Sequence, residues 1–120
     1  MVFGDVLKNL VENVQGARAA MVMGYDGIPL EQFPQNGTSP IDLATLGVEY
    51  CGIINEIKKN SSNLGAQGLQ EIVIRADTQT IIIRIINDDY FAILALDSNG
   101  YFGKGRFFLR SAVNKVQDQL

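Results

Sequence analysis

The chain has 120 residues, 47% hydrophobic and 19% charged, which suits one folded domain with its own core and not a disordered chain. Ten basic and 13 acidic residues leave a net charge of −3, against the basic footprint of a general nucleic-acid binder. Histidine is absent and Cys51 is the single cysteine. That removes Ser-His-Asp and Cys-His nucleophilic sites, His-bearing metal sites, an internal disulfide, a zinc cluster and a redox pair.

Residues 2–14 predict a helix. Val2, Phe3, Val6, Leu7, Leu10, Val11 and Val14 recur at three- and four-residue spacing, and Gly16 suits its cap. The N-terminus has no basic region before an apolar stretch, so a signal peptide is not expected. Residues 17–23 read as a strand, and Gly24-Tyr25-Asp26-Gly27 carries the Asp-Gly hairpin signal. Ile28 to Phe33 is the return strand. Pro29 inside it cannot donate to a ladder, which places it at a sheet edge.

After a loop at 34–38, Ser39 suits an N-cap, Pro40 the first helical position and Asp42 the positive end of a second helix, which should run to about Asn60. Residues 61–68 are polar, glycine-bearing and read as loop. Three strands follow at 69–75, 80–86 and 90–96, and their short links predict an antiparallel meander. The middle one is apolar on both faces, with Ile81, Ile83 and Ile85 on one side and Ile82 and Ile86 on the other, so both faces should be covered. A turn at 97–100 leads to a last helix at roughly 104–119, with Phe108, Leu109, Ala112, Val113 and Val116 on its apolar face. No repeat or linker divides the chain, so residues 1–120 form one domain. The expected fold is α+β: helix, two strands, helix, three strands, helix, with a five-stranded antiparallel sheet between helical layers.

The second helix is too apolar for a helix with one covered face. In steps of about 100° per residue from Asp42, Thr45, Glu49, Gly52 and Glu56 fall together at about 280° to 340°. Ile53, Leu46, Ile57, Tyr50, Leu43 and Ile54 cover about 20° to 120°, and Cys51, Ala44, Val48 and Ile41 about 180° to 260°. One arc should sit on the sheet and the other needs a second partner. Ala44, Gly47 and Cys51 form a small-residue stripe that would let another backbone come close. A two-fold dimer contact is the expected use.

Catalytic motifs are not found. Gly100 and Gly105 have P-loop glycine spacing, but Arg106 and Phe107 stand where Lys and Ser or Thr are needed. Gly103-Lys104-Gly105 reads as a flexible joint. Asp88-Asp89 reads as a solvated turn, and Asp97-Ser98-Asn99-Gly100 lacks the later ligands of a calcium loop. Cys51 reads as a small core residue. Arg18, Arg75, Arg84, Arg106 and Arg110 are the candidates for an arginine finger, which needs an exposed, mobile position; Arg75 and Arg84 lie in strands, and Arg106 and Arg110 read as solvated faces. No catalytic residue, cofactor or metal is expected. The longest apolar runs, Ile81–Ile83 and Tyr90–Leu96, are far below the ~20 residues of a membrane span, and cytoplasm is the expected location.

The layout resembles the roadblock / dynein light-chain family, and within it the MglB-like bacterial and archaeal members. The resemblance rests on Ala19 to Leu30 (strand-turn-strand), Ser39 to Gly52 (start of the long helix), Tyr90 to Leu96 and Gly103 to Arg110. It implies a profilin-like three-layer sandwich with strand order 2-1-5-4-3. It also implies a homodimer in which the third strand and the long helix meet their symmetry mates. Combined with the wheel, this makes Ala44, Gly47, Val48, Cys51, Gln70, Ile72 and Ile74 the expected dimer interface. Members act on or with small Ras-like GTPases as activators or scaffolds, and some are cargo adaptors on motor complexes. The chain carries no long terminal extension, so contacts that depend on one are not expected.

The expected function is therefore a dimeric, non-catalytic regulator or scaffold of a small Ras-like GTPase, with Asp42, Thr45, Glu49, Gly52 and Glu56 as the GTPase-binding candidates. The alternatives are a structural adaptor of a motor or signalling complex, and a small-molecule sensory domain. No nucleic acid or membrane partner is expected.

Overall fold

A computed structural model describes residues 2–34, 42–65 and 68–120. In chain order its elements are α1 (Val2–Asn13), β1 (Ala17–Gly24), β2 (Pro29–Phe33), α2 (Leu43–Asn63), β3 (Glu71–Arg75), β4 (Gln79–Ile85), β5 (Tyr90–Asp97) and α3 (Phe102–Val116), followed by a 3-10 turn at Gln117–Gln119. The strands form one antiparallel sheet in the order β2-β1-β5-β4-β3.

Pairing of sequence-distant strands makes β1 and β5 the centre of the sheet. Every residue of Phe91–Leu96 is buried, because both sheet faces are covered. On one face α1 and α3 pack over Ala20, Val22, Ile82, Ala92, Leu94 and Leu96. On the other, α2 packs over Ala19, Met21, Met23, Ile81, Ile83, Phe91 and Ile93. The double-sided apolar pattern of β4 is thus used in full. Pro29 lies in the outer strand β2, as its missing donor requires, beside a bulge at Val22/Met23.

The turns follow local chemistry. Gly27 has φ +87° and its N–H donates to the Gly24 carbonyl, while the Asp26 carboxylate accepts from the Ile28 N–H. Gly16 has φ +88° and passes Gly100 backbone to backbone, with the Asp97 N–H donating to the Gly16 carbonyl at 2.8 Å.

Several boundaries differ from expectation. Ser39 and Pro40, read as the helix start, lie outside the described residues. Asp42 precedes α2 and caps it, its carboxylate accepting from the Thr45 N–H at 3.1 Å and the Thr45 hydroxyl at 2.7 Å. Residues 61–63, expected as loop, continue α2. The Ser61 hydroxyl donates back to the Ile57 carbonyl at 2.6 Å, which absorbs a polar side chain without breaking the helix. Gly65, with φ +76°, follows the helix end. Gln70 lies just before β3. The supposed flexible joint Gly103–Gly105 is the first turn of α3, and Gly105 is buried. A Cβ there would meet Leu96 and Leu94 side-chain carbons at 3.1–3.3 Å, so this glycine permits close helix–sheet approach.

Candidate partner-binding face

Two features lack a covering element among the described residues: the outward face of α2 and the free edge of β3.

The phase of α2 on the sheet is set by Gly47. Leu43, Cys51 and Ile54 are buried beside it against β1 and its neighbours. A Cβ on Gly47 would fall among the terminal atoms of Met21 and Met23. The Cys51 Sγ lies 3.7 Å from the Gly24 carbonyl oxygen and 3.9 Å from the Met23 sulfur, and burial pushes its thiol pKa up. The small-residue stripe therefore makes an intrachain contact, with Gly47 and Cys51 buried in the protomer. Ala44 is half-buried and Val48 is 53% exposed. Ile53, assigned to the sheet by the wheel, is 49% exposed. With apolar residues on both arcs, the wheel could not say which of them the sheet would take.

Asp42, Thr45, Glu49, Gly52 and Glu56 are all exposed and together form the outward stripe of α2, with Val48 and Ile53 as its apolar borders. Gly52 opens the stripe further, since a Cβ there would meet nothing. The Thr45 hydroxyl and N–H hold the Asp42 carboxyl below its ordinary pKa.

At the far side of the sheet, β3 pairs only with β4. The Ile85 N–H donates to the Gln70 carbonyl and the Ala76 N–H to the Gln79 carbonyl. That parity turns the peptide groups of Ile72 and Ile74 toward β4 and those of Glu71, Val73 and Arg75 toward the open edge. Ile72 and Ile74 are half-buried on the α2 face. Gln70 is exposed.

Sequence reasoning missed a charged cluster on the α3 face. Arg106 donates from Nε to the Glu71 carboxylate at 2.7 Å, and Arg84 lies 3.8 Å from the other carboxylate oxygen. Arg106 is thus exposed, as expected, but held in an ion pair. Its partner is 35 positions away, beyond the reach of any local pattern. Arg18 pairs with Asp97.

Tyr25 packs on Phe91 at 5.2 Å under the Lys58 ammonium, 4.2 Å above its ring. Its hydroxyl is buried without a hydrogen-bond partner among the described residues, and burial, helped by the charge of Asp88, pushes its pKa to about 12. The apolar space between α1, α3 and the sheet is about 10 Å³, no more than one water and far from a ligand cavity. Among the described residues no group of three or more acidic or cysteine side chains could hold a metal ion. No described helix is long and apolar enough to cross a membrane.

Comparison with known proteins decides the family. Residues 4–96 match the Roadblock/LC7 domain. The chain belongs to the Roadblock/LC7 family. MglC from Myxococcus xanthus is 33% identical over the full length of both chains, with a TM-score of 0.69. The gliding protein MglB from Thermus thermophilus is 19% identical, with a TM-score of 0.85 over 99% of this chain and 90% of that one. An MglB in a tetrameric arrangement gives the same TM-score at 19% identity, over 97% of this chain and 85% of that one. No curated protein matches the chain. The Roadblock/LC7 strand order and the two helical layers expected from the resemblance are those observed.

Proposed function

We propose that this Roadblock/LC7 chain is a homodimeric, non-catalytic regulator or scaffold that binds a small Ras-like GTPase and modulates its cycle. Family membership supports a regulatory or adaptor role, and the likeness to an MglB in a tetrameric arrangement supports self-association. The observation that carries the reading is the outward stripe of α2, where Thr45, Glu49, Gly52 and Glu56 stand exposed between Val48 and Ile53. In the dimer, Val48 of α2 and the edge of β3 meet their symmetry mates. The two stripes then form an acidic platform on one side of the joined sheets. One globular partner across the two-fold axis would occlude a second, giving two protomers per GTPase.

The test uses GTP-loaded Ras-like GTPases from the same genome. The parent chain should bind one and change its hydrolysis or exchange rate. Glu49→Lys with Glu56→Lys should slow association and weaken its salt dependence while leaving the dimer intact. Unchanged binding and salt dependence would move the partner to another face. Binding with no change of rate would make the chain a scaffold only. Failure to bind any of them would favour a structural adaptor.

A further inference from the structure

The free edge of β3 reads Glu71-Ile72-Val73-Ile74-Arg75, with opposite charges at its ends and an apolar centre. An antiparallel copy of such a segment, centred on Val73, brings Glu71 opposite Arg75 of the second copy at both ends and Ile72 opposite Ile74. The hydrogen-bond parity agrees. Glu71, Val73 and Arg75 are the residues whose peptide groups face outward, and this register pairs each of them with another outward-facing residue. Sliding the copies by two residues keeps the parity but sets both charged ends against apolar residues or past the strand end. Sliding by one pairs outward with inward groups and loses the ladder.

The Glu71 side chain is 14% exposed, and Arg75 is exposed at the edge. Glu71, Val73 and Arg75 share the α3 face of the sheet, where Glu71 meets Arg106 and the Arg75 guanidinium lies 5.0 Å over the Phe102 ring. Arg106 occupies one Glu71 oxygen. The other is 3.8 Å from Arg84, too far for a hydrogen bond, and so retains capacity for a further donor. Arg75 has no carboxylate partner among the described residues.

We infer that a second copy of this chain pairs with the β3 edge in the register centred on Val73, and that reciprocal Glu71–Arg75 ion pairs select that register. This rests on the homodimer of the proposed function and adds what specifies it. A cross-strand charge pair favours one register, and like charges oppose it. Charge therefore makes the edge self-selective while the open ladder supplies the adhesion.

The test mixes two variants, Glu71→Lys and Arg75→Glu. Each homodimer would carry two repulsive pairs, whereas the heterodimer carries two attractive ones. Native mass spectrometry after exchange should show the heterodimer rising from the statistical half to roughly four-fifths or more. Should Glu71→Lys fail to fold, Arg75→Glu decides against Arg75→Gln. The Glu variant should dimerise several-fold more weakly than the Gln variant, with the gap closing in high salt. Statistical mixing, or equal dimerisation of the Glu and Gln variants, overturns the register and leaves the dimer standing. A parent chain that stays monomeric at micromolar concentration overturns the dimer and the register together.

Discussion

Met23 lies directly beneath Gly47. A Cβ placed on that glycine would fall 2.5 Å from the Met23 sulfur and 2.8 Å from the Met21 terminal methyl. A glycine inside a helix costs roughly 1 kcal/mol against alanine. Here that cost is offset by seating α2 on two methionines of the central strand.

Gly47→Leu should therefore destabilise the fold itself, by about 1–3 kcal/mol, as expected for overpacking a filled contact. Gly47→Ala should cost less, because methionine side chains can shift and helix propensity improves. Urea unfolding at low protein concentration checks both. A Gly47→Leu variant with parental stability and impaired dimerisation would return the stripe to the interface.

Val48 and Ile53 are the exposed apolar residues bordering the outward stripe. Val48→Asp should raise the dimer dissociation constant about tenfold, or ~1.4 kcal/mol, while changing the stability of the protomer by no more than ~0.5 kcal/mol. Sedimentation velocity over a concentration series reads the first quantity and chemical denaturation the second. Equal dimerisation of parent and variant would exclude Val48 from the contact.

Asp42 gives an acid-side prediction. Its carboxyl is held below the ordinary value by the Thr45 hydroxyl and amide. A depressed folded pKa contributes stability that is present above the unfolded value and lost as pH falls through the folded one. Asp42→Asn keeps a capping oxygen but no titrating charge. Its thermal midpoint should fall less than the parent's on acidification through the carboxylate range. Identical acid limbs would show that the cap contributes nothing to the pH dependence.

Tyr25 gives the alkaline counterpart. Its pKa is raised to about 12, so folding disfavours the phenolate. The sign is opposite to that of Asp42: stability is unaffected below the ordinary tyrosine value of ~10 and falls as pH rises from there toward the folded value. Tyr25→Phe removes a buried hydroxyl that has no partner among the described residues, so it should be neutral or mildly stabilising at pH 7 and lose less stability between pH 10 and about 12. A clear loss of stability at pH 7 would mean that the hydroxyl has a hydrogen-bond partner in solution.

The elements were legible because each rests on local periodicity and turn chemistry. The stripe of α1, the two-faced β4 run Ile81–Ile85, the Asp26-Gly27 turn and the donor missing at Pro29 each act within a few residues. The same local signals placed Asp42, Thr45, Glu49, Gly52 and Glu56 on one helix face. Sequence could not fix the phase of α2: the sheet takes neither apolar arc whole, but Leu43 and Ile54 from one and Cys51 from the other. The phase is set by the methionines of β1, about two dozen positions upstream, whose terminal atoms fill the space beside Gly47. Nor could sequence join Glu71 to Arg106. That pair exists only because β3 and the N-terminal half of α3 are brought together at the sheet's edge. The fold follows from signals that act over a few residues. Which groups remain free for a partner is decided by contacts between residues far apart in the chain.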